Sequence, residues 1–193
     1  MKSSVTTKQG DAGQTKALDG NAFDKCHSMM EAVGALDALR VQTALLRLQL
    51  QDKNPEALPE IGFLHFLLHT YFIFGATISD PYRRKPEWHH GEITQHYLDR
   101  LEAEQEHLES GLRLPRAFIV SATNALAAQA DITACAARTF ERRLVAFCRE
   151  TPGFECPICL AFANRLSDYF FILARHLEKG YHLPVNYEIL DKE

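Results

Sequence analysis

Apolar residues recur at helical spacing through most of the chain, which predicts long helices and almost no strand. From about Asp24 to Leu50 the apolar-rich turns run without a proline. A second helix is expected over 56–79, broken by the prolines and charge of "DPYRRKPEWHHGE" (80–92). The third has the cleanest stripe: Ile93, Tyr97, Leu101, Leu108 and Leu112 share one side with charge opposite, and Pro115 is expected to stop it. The fourth is expected from about Thr123 to Arg149, and "ETPGFECP" (150–157) reads as a turn. The fifth carries Leu160, Ala163, Leu166, Phe170, Leu173 and Leu177 at spacings of three and four, and ends before Gly180 and Pro184. Five long helices with short connections predict one all-α bundle domain over 1–193. No internal repeat or low-complexity tract interrupts the pattern.

Composition narrows the function classes. A chain of 193 residues, 46% hydrophobic and 24% charged, suits one domain with a sizeable core. A net charge of −4 leaves no basic footprint for nucleic acid. The opening "MKSSVTTKQGD" lacks the apolar stretch of a signal peptide, and five cysteines without a secretory signal suggest reduced thiols in the cytoplasm. Segment 61–79, "IGFLHFLLHTYFIFGATIS", carries no Lys, Arg, Asp or Glu and approaches the ~20 residues of a membrane span. His65, His69, Gly75 and the lack of flanking anchors favour a helix buried in a soluble bundle, so no membrane association is expected.

The candidate chemistry is scattered. In "TTKQGDAGQT" (6–15), Gly10 and Gly13 permit positive φ, so successive N–H groups can converge on an anion. Thr7 and Thr15 add hydroxyls and Lys8 adds a charge. The Walker spacing is absent, and a mobile N-terminus has the same composition. In "ARTFERR" (137–143), Arg138, Glu141 and Arg142 fall within one turn, as a ligand-facing cluster or as a solvated face with an intrahelical ion pair. In "NRLSD" (164–168), Asn164 and Asp168 lie at i, i+4 beside the apolar stripe, suited to structural hydrogen bonds or to a polar ligand. "CPIC" (156–159) has metal-ligand spacing with Cys148 as a third thiol, but no second CxxC exists and no metal site is expected. His65 and His69 lack the intervening Glu of a zinc protease and read as packed helix histidines; "HH" (89–90) falls in a loop.

The order and separation of these pieces say more than each alone. "TKQGDAGQT", "KCHSMMEAVGALDAL" (25–39), "RAFIVSATNALAAQADITACAARTFERRLVAF" (116–147) and "CPICLAFANRLSDYFFILAR" (156–175) together resemble the ATP:cob(I)alamin adenosyltransferases of the propanediol-utilisation type. The resemblance implies a ferritin-like five-helix bundle that assembles as a homotrimer with sites between subunits. It implies transfer of the 5′-deoxyadenosyl group of ATP to cob(I)alamin, leaving triphosphate. Thr7, Lys8, Gly10, Asp11, Gly13 and Thr15 match a triphosphate cradle, and Lys25 matches a lysine that also serves the phosphates. Arg138 matches a catalytic arginine facing ATP, Glu141 a glutamate that holds the nucleotide or its magnesium, and Asn164 an asparagine near the nucleotide. Phe118 matches a phenylalanine that presses on the lower face of cobalamin, excluding a lower ligand so that Co(II) is more easily reduced. Asp37 matches an aspartate on the cobalamin side.

The departures are as specific. Ala134 and Thr139 stand where the family has arginines, Ser121, Ala122 and Thr123 replace a P-G-G turn, and Val33 replaces a tyrosine. In the family the arginine missing at 134 pairs with the aspartate matched by Asp37, so a buried, unpaired Asp37 would cost several kcal/mol. Arg40, three residues on, is expected to take over that pairing. The same departures fit a non-catalytic paralogue that binds ATP or a corrinoid as carrier or sensor.

Overall fold

The computed structural model describes Lys8 and residues 10–190. The expected phosphate-loop residue Thr7 lies outside the described residues. The expectation of almost no strand holds, apart from one short hairpin among the described residues. Strand β1 (Gln14–Lys16) pairs antiparallel with β2 (Ala22–Asp24), Thr15 opposite Phe23. Three-residue strands are too short to print a period-two pattern. The hairpin instead declares itself at its turn, where Gly20 takes φ 88° and its N–H donates to the Ala17 carbonyl at 3.0 Å.

Five helices follow: α1 (Ser28–Lys53), α2 (Leu58–Ser79), α3 (Gln95–Ser110), α4 (Ala125–Glu150) and α5 (Pro157–Leu177). α1 starts later than Asp24 because the chain is still in β2 there. His27 caps it, its Nδ1 accepting from Met29 N–H at 3.1 Å. α3 stops at Gly111, short of Leu112 and Pro115, and buries Leu98 rather than Tyr97 alongside Leu101 and Leu108. Asn124 caps α4 by accepting from Ala127 N–H at 3.0 Å. Pro157 opens α5, where a missing N–H costs nothing.

α4 is the hub. It packs on α1 and α5, while α2 lies against α1 and α3 against α5. Small residues at Ala127, Ala130, Ala134 and Ala137 let neighbouring helices approach, and Phe140 and Phe147 fill the far half of its buried face. The apolar α2 is long enough to cross a membrane by length and composition, yet it is a core helix. Phe63, Leu64, Leu67, Tyr71, Phe74 and Ile78 are all buried, and the Phe74 ring sits edge-on to Phe140 at 5.4 Å. Burial pushes the Tyr71 hydroxyl far above the ordinary tyrosine range, against a hydrogen bond to Thr43 at 3.3 Å. The expectation that His65 and His69 are packed is corrected: both rings are exposed, 4.5 Å apart on the outer face of α2.

The 80–92 loop is a structural knot rather than a plain break. The buried Asp80 carboxylate accepts from the backbone N–H of Arg84 (2.9 Å) and Lys85 (2.7 Å), and lies 3.1 Å from His89 Nε2. Burial acts to raise its pKa, but these donors outweigh it and hold the group below the usual carboxylate range. The loop reaches in two directions. Tyr82 donates its hydroxyl to the Pro152 carbonyl (2.9 Å) in the α4–α5 turn, and Arg84 pairs with Asp19 (3.4 Å) in the hairpin.

Candidate active site

The opening loop folds over its own lysine. Gly13 takes φ 83°, its N–H donates to Gly10 O at 3.2 Å, and its carbonyl accepts from Lys25 N–H at 2.8 Å. The Lys25 side chain lies across Gly10: a Cβ built there would meet Lys25 Nζ at 3.0 Å and Gln14 O at 3.3 Å. Glycine at 10 thus leaves room for an exposed ammonium held against a run of backbone, a geometry suited to phosphate oxygens. Lys8, Asp11 and Gly13 are exposed and Thr15 is partly buried.

Thr15 and Asp37 meet at one place. A cavity of about 770 Å³ lies between the hairpin, α1 and α2, lined by Thr15 and Lys16, by Met30, Val33, Asp37 and Arg40, and by Phe72 and Trp88. Phe72 and Trp88 were not singled out in the sequence: a phenylalanine in an apolar run and a lone loop tryptophan carry no distinguishing pattern there. The expected pairing of Asp37 with Arg40 is formed, and only the expectation that Asp37 is buried is corrected. Its side chain is 60% exposed and pairs with Arg40 at 3.0 Å.

Arg138, Glu141 and Asn164 form a second group, across the α4–α5 contact. Asn164 Nδ2 donates to Glu141 Oε1 at 3.0 Å, so this carboxylate spans two helices rather than closing an intrahelical pair. Arg142 turns instead to Thr139 Oγ1 at 3.2 Å, and Asp168 pairs with Arg165 at 3.2 Å. Arg138 is exposed. Among the described residues, no hydrogen bond or ion pair joins Arg138 to the opening loop of its own chain. The link between α4 and α1 on this side is Arg143 to Glu31 at 3.4 Å.

Phe118 stands apart from both. It lies on a short extended segment ahead of α4 and is 79% exposed, so it is not a core phenylalanine. Its backbone is held while its ring is free: Val185 N–H donates to Phe118 O and Val120 N–H to Leu183 O, each at 2.8 Å.

The cysteines divide in the same way. Cys26 and Cys135 are exposed, whereas Cys148 Sγ lies 3.3 Å from Cys156 Sγ at the α4–α5 turn. Among the described residues no group of three His, Cys, Asp or Glu side chains is arranged to hold a metal ion.

Residues 5–177 match the cobalamin adenosyltransferase family model. The chain belongs to the cobalamin adenosyltransferase family. It is 30% identical over 184 residues to a cobalamin adenosyltransferase of Cupriavidus metallidurans, covering 92% of this chain and 90% of that one. It is 28% identical over 179 residues to the corrinoid adenosyltransferase of Mycobacterium leprae, covering 91% and 92%. The corrinoid adenosyltransferase PduO of Salmonella typhimurium is also 28% identical, but there the chain spans about half the relative's length, 92% of this chain against 51% of that one. Among solved structures, a variant PduO-type ATP:corrinoid adenosyltransferase of Lactobacillus reuteri, complexed with cobalamin and ATP, superposes with a TM-score of 0.81 at 23% identity. It covers 93% of this chain and 98% of that one, so the five-helix arrangement is the fold of that enzyme.

Proposed function

We propose that this cobalamin adenosyltransferase family member moves the 5′-deoxyadenosyl group of ATP onto the cobalt of cob(I)alamin and releases triphosphate. Within the family match, the observation that carries this reading is the Lys25 ammonium held against Gly10 in the opening loop. It supports a phosphate-binding loop over a loose tail.

The reaction makes modest demands on side chains. Co(I) is the nucleophile, so no residue need be deprotonated to create one. Cobalt donates an electron pair to C5′, the Co–C bond forms, and the C5′–O bond breaks with its electrons leaving on triphosphate. The protein must hold C5′ in line with cobalt and stabilise charge on the leaving group. Lys8, Lys25 and the N–H groups around Gly10 and Gly13 supply positive potential for that charge, with Thr15 as a hydroxyl partner. Arg138 supplies a further cation, and Glu141, already fixed by Asn164, orients the nucleotide. Phe118 presents an exposed ring to the corrinoid face, and Asp37 with Arg40 lines the separate cavity between the hairpin, α1 and α2. Magnesium, if carried by the nucleotide, fits a site built mainly from phosphate oxygens and water with Glu141 as the nearby carboxylate, since no protein cage of three ligands is formed among the described residues.

Assembly completes the site. Among the described residues no hydrogen bond or ion pair joins the loop to Arg138 within one chain, and Val41, Leu45, Leu48, Phe72, Ile132 and Phe171 leave apolar surface exposed. A homotrimer that covers this surface and brings the loop of one copy to α4 of the next accounts for both. The test is direct. Protein, ATP and chemically reduced cobalamin should give the spectrum of the cobalt–carbon product together with triphosphate. Binding of both ligands without product would make the chain a carrier or sensor instead.

A further inference from the structure

Glu178 closes α5, and it is only 2% exposed although it is a carboxylate. Its Oε1 accepts from Thr123 N–H at 3.0 Å, and its Oε2 accepts from His182 Nδ1 at 2.7 Å. Arg175, 1% exposed, supplies the countercharge: its Nε lies 3.3 Å from Glu178 Oε2, and its Nη2 donates to Asp131 at 2.7 Å. A buried carboxylate without such partners would be strongly disfavoured, so the cluster stands or falls as a unit.

Its two grips are on different segments. Thr123 ends the stretch that carries Phe118 into α4, and His182 begins the stretch that leaves α5. Those stretches then pair with each other, through Val185 N–H to Phe118 O, Val120 N–H to Leu183 O, and the bridge of Ile119 to Pro184. Asn124 adds a bond from its Nδ2 to the Leu177 carbonyl at 3.0 Å. Between bridge and clamp, Ala122 is held at φ 47°, a left-handed conformation that a residue with a Cβ adopts only when its surroundings impose it. The Phe118 ring is solvent-exposed, so packing does not aim it. Its backbone does, and that backbone is tied at one end by Glu178.

We propose that Glu178, braced by Arg175, is a positioning residue for Phe118: it sets where the ring meets the corrinoid by clamping Thr123 and His182. This rests on the proposed corrinoid role of Phe118. The catalytic consequence is selective. Loosening the clamp changes the corrinoid half of the reaction and leaves the nucleotide half alone, because the loop, Lys25 and Arg138 make no bond to it among the described residues.

Glu178→Ala would remove one of the two carboxylates paired with buried Arg175 and break the bonds to Thr123 and His182 at once, and risks failing to fold. The test therefore uses His182→Ala, which opens the clamp without orphaning a charge, with His182→Asn and Glu178→Gln as conservative partners. Two readouts are taken on the purified full chain. In steady-state kinetics, His182→Ala should raise the corrinoid KM or lower corrinoid-limited turnover about tenfold while the ATP KM stays within about twofold, and His182→Asn should recover most of the loss. In a Phe118→Ala background, His182→Ala should add nothing further, because two changes acting through one element are not additive. In hydrogen exchange, the Val120 and Val185 amides should lose protection in His182→Ala while amides of α1 do not. Equal losses for ATP and corrinoid, or a full extra loss in the Phe118→Ala background, overturn the proposal. So do unchanged Val120 and Val185 amides in both His182→Ala and Glu178→Gln. A wild-type chain that forms no adenosylated corrinoid sinks the proposed function instead, and the exchange result still decides whether Glu178 holds the Phe118 segment.

Discussion

Arg40 Nη2 lies 3.0 Å from Asp37 Oδ1, one turn along α1, and its guanidinium sits 5.4 Å from the centre of the Phe72 ring on α2. The pair faces the cavity between the hairpin and these two helices. It puts on α1 a cation of the kind that the sequence resemblance implies on α4, where Ala134 is 8% exposed with no charge to offer. Exposed i, i+3 pairs contribute only ~0.2–0.5 kcal/mol. Arg40→Ala is therefore expected to shift the thermal melt little, to lower corrinoid turnover about tenfold, and to weaken the proposed trimer. A silent Arg40→Ala in both turnover and trimer dissociation would show that the pair is surface decoration.

Gly10→Ala should separate nucleotide binding from stability. The new methyl would lie 3.0 Å from Lys25 Nζ, whose flexible end can move aside, and 3.3 Å from the Gln14 carbonyl, which needs to give by only a few tenths of an ångström. The moved ammonium no longer sits over the loop. ATP affinity is expected to fall at least tenfold, about 1.4 kcal/mol, with an unchanged melting temperature. Lys25→Ala should match it, and the double variant should be no worse than either. Calorimetric titration with ATP decides.

The Asp80 knot predicts a pH-dependent stability. Its folded pKa is depressed, so its contribution is fully present above the unfolded value near ~4 and is lost as pH falls through the folded value. Asp80→Asn is expected to cost about 2 kcal/mol at pH 7, since bonds to a charged acceptor are the stronger kind. The gap between variant and wild type should narrow in melts taken below about pH 4. A gap constant down to pH 3 would mean that the carboxylate charge contributes nothing.

Thiol labelling should divide the five cysteines. The hydrogen bond with Cys156, together with burial, raises the Cys148 thiol far above the ordinary range. Cys156 is pushed up to about 12: the bond from Cys148 acts to lower it, but the bond to Cys159 and burial outweigh that. Cys26 and Cys135 are exposed and should give the fast phase with a thiol-specific reagent at pH 8, one equivalent lost in each serine variant. A fast phase that survives in the double serine variant would place a reactive thiolate in the α4–α5 turn.

How far these features could be read from the chain varies with their range. The helices were legible because their buried faces repeat: Leu166, Phe170, Leu173 and Leu177 line α5 whatever surrounds them. The Asp37–Arg40 pair was legible for the same reason, being local to one turn. The hairpin was not, because three-residue strands have no period, and Asp24, expected to open α1, ends β2. His89 read as a loop residue because its partner, Asp80, is fixed by backbone geometry. Glu178 carried no signal in the sequence, because the partner that gives it a role, Thr123, is 55 residues away in the chain. Of the candidate site, the chain order of the motifs was visible. The proposed meeting of the loop with Arg138 was not, since among the described residues no hydrogen bond or ion pair within one chain joins them.

That separation has a genetic consequence. If the proposed trimer forms, a chain altered at Lys25 and a chain altered at Arg138 would each be inactive alone, because every proposed site needs one intact copy of each group. Mixed in one trimer with loop and helix drawn from neighbouring copies, they would regenerate intact sites at roughly a quarter of the interfaces. Two null alleles of this gene would then rescue each other when co-expressed, whereas two alleles damaged in the same group never would.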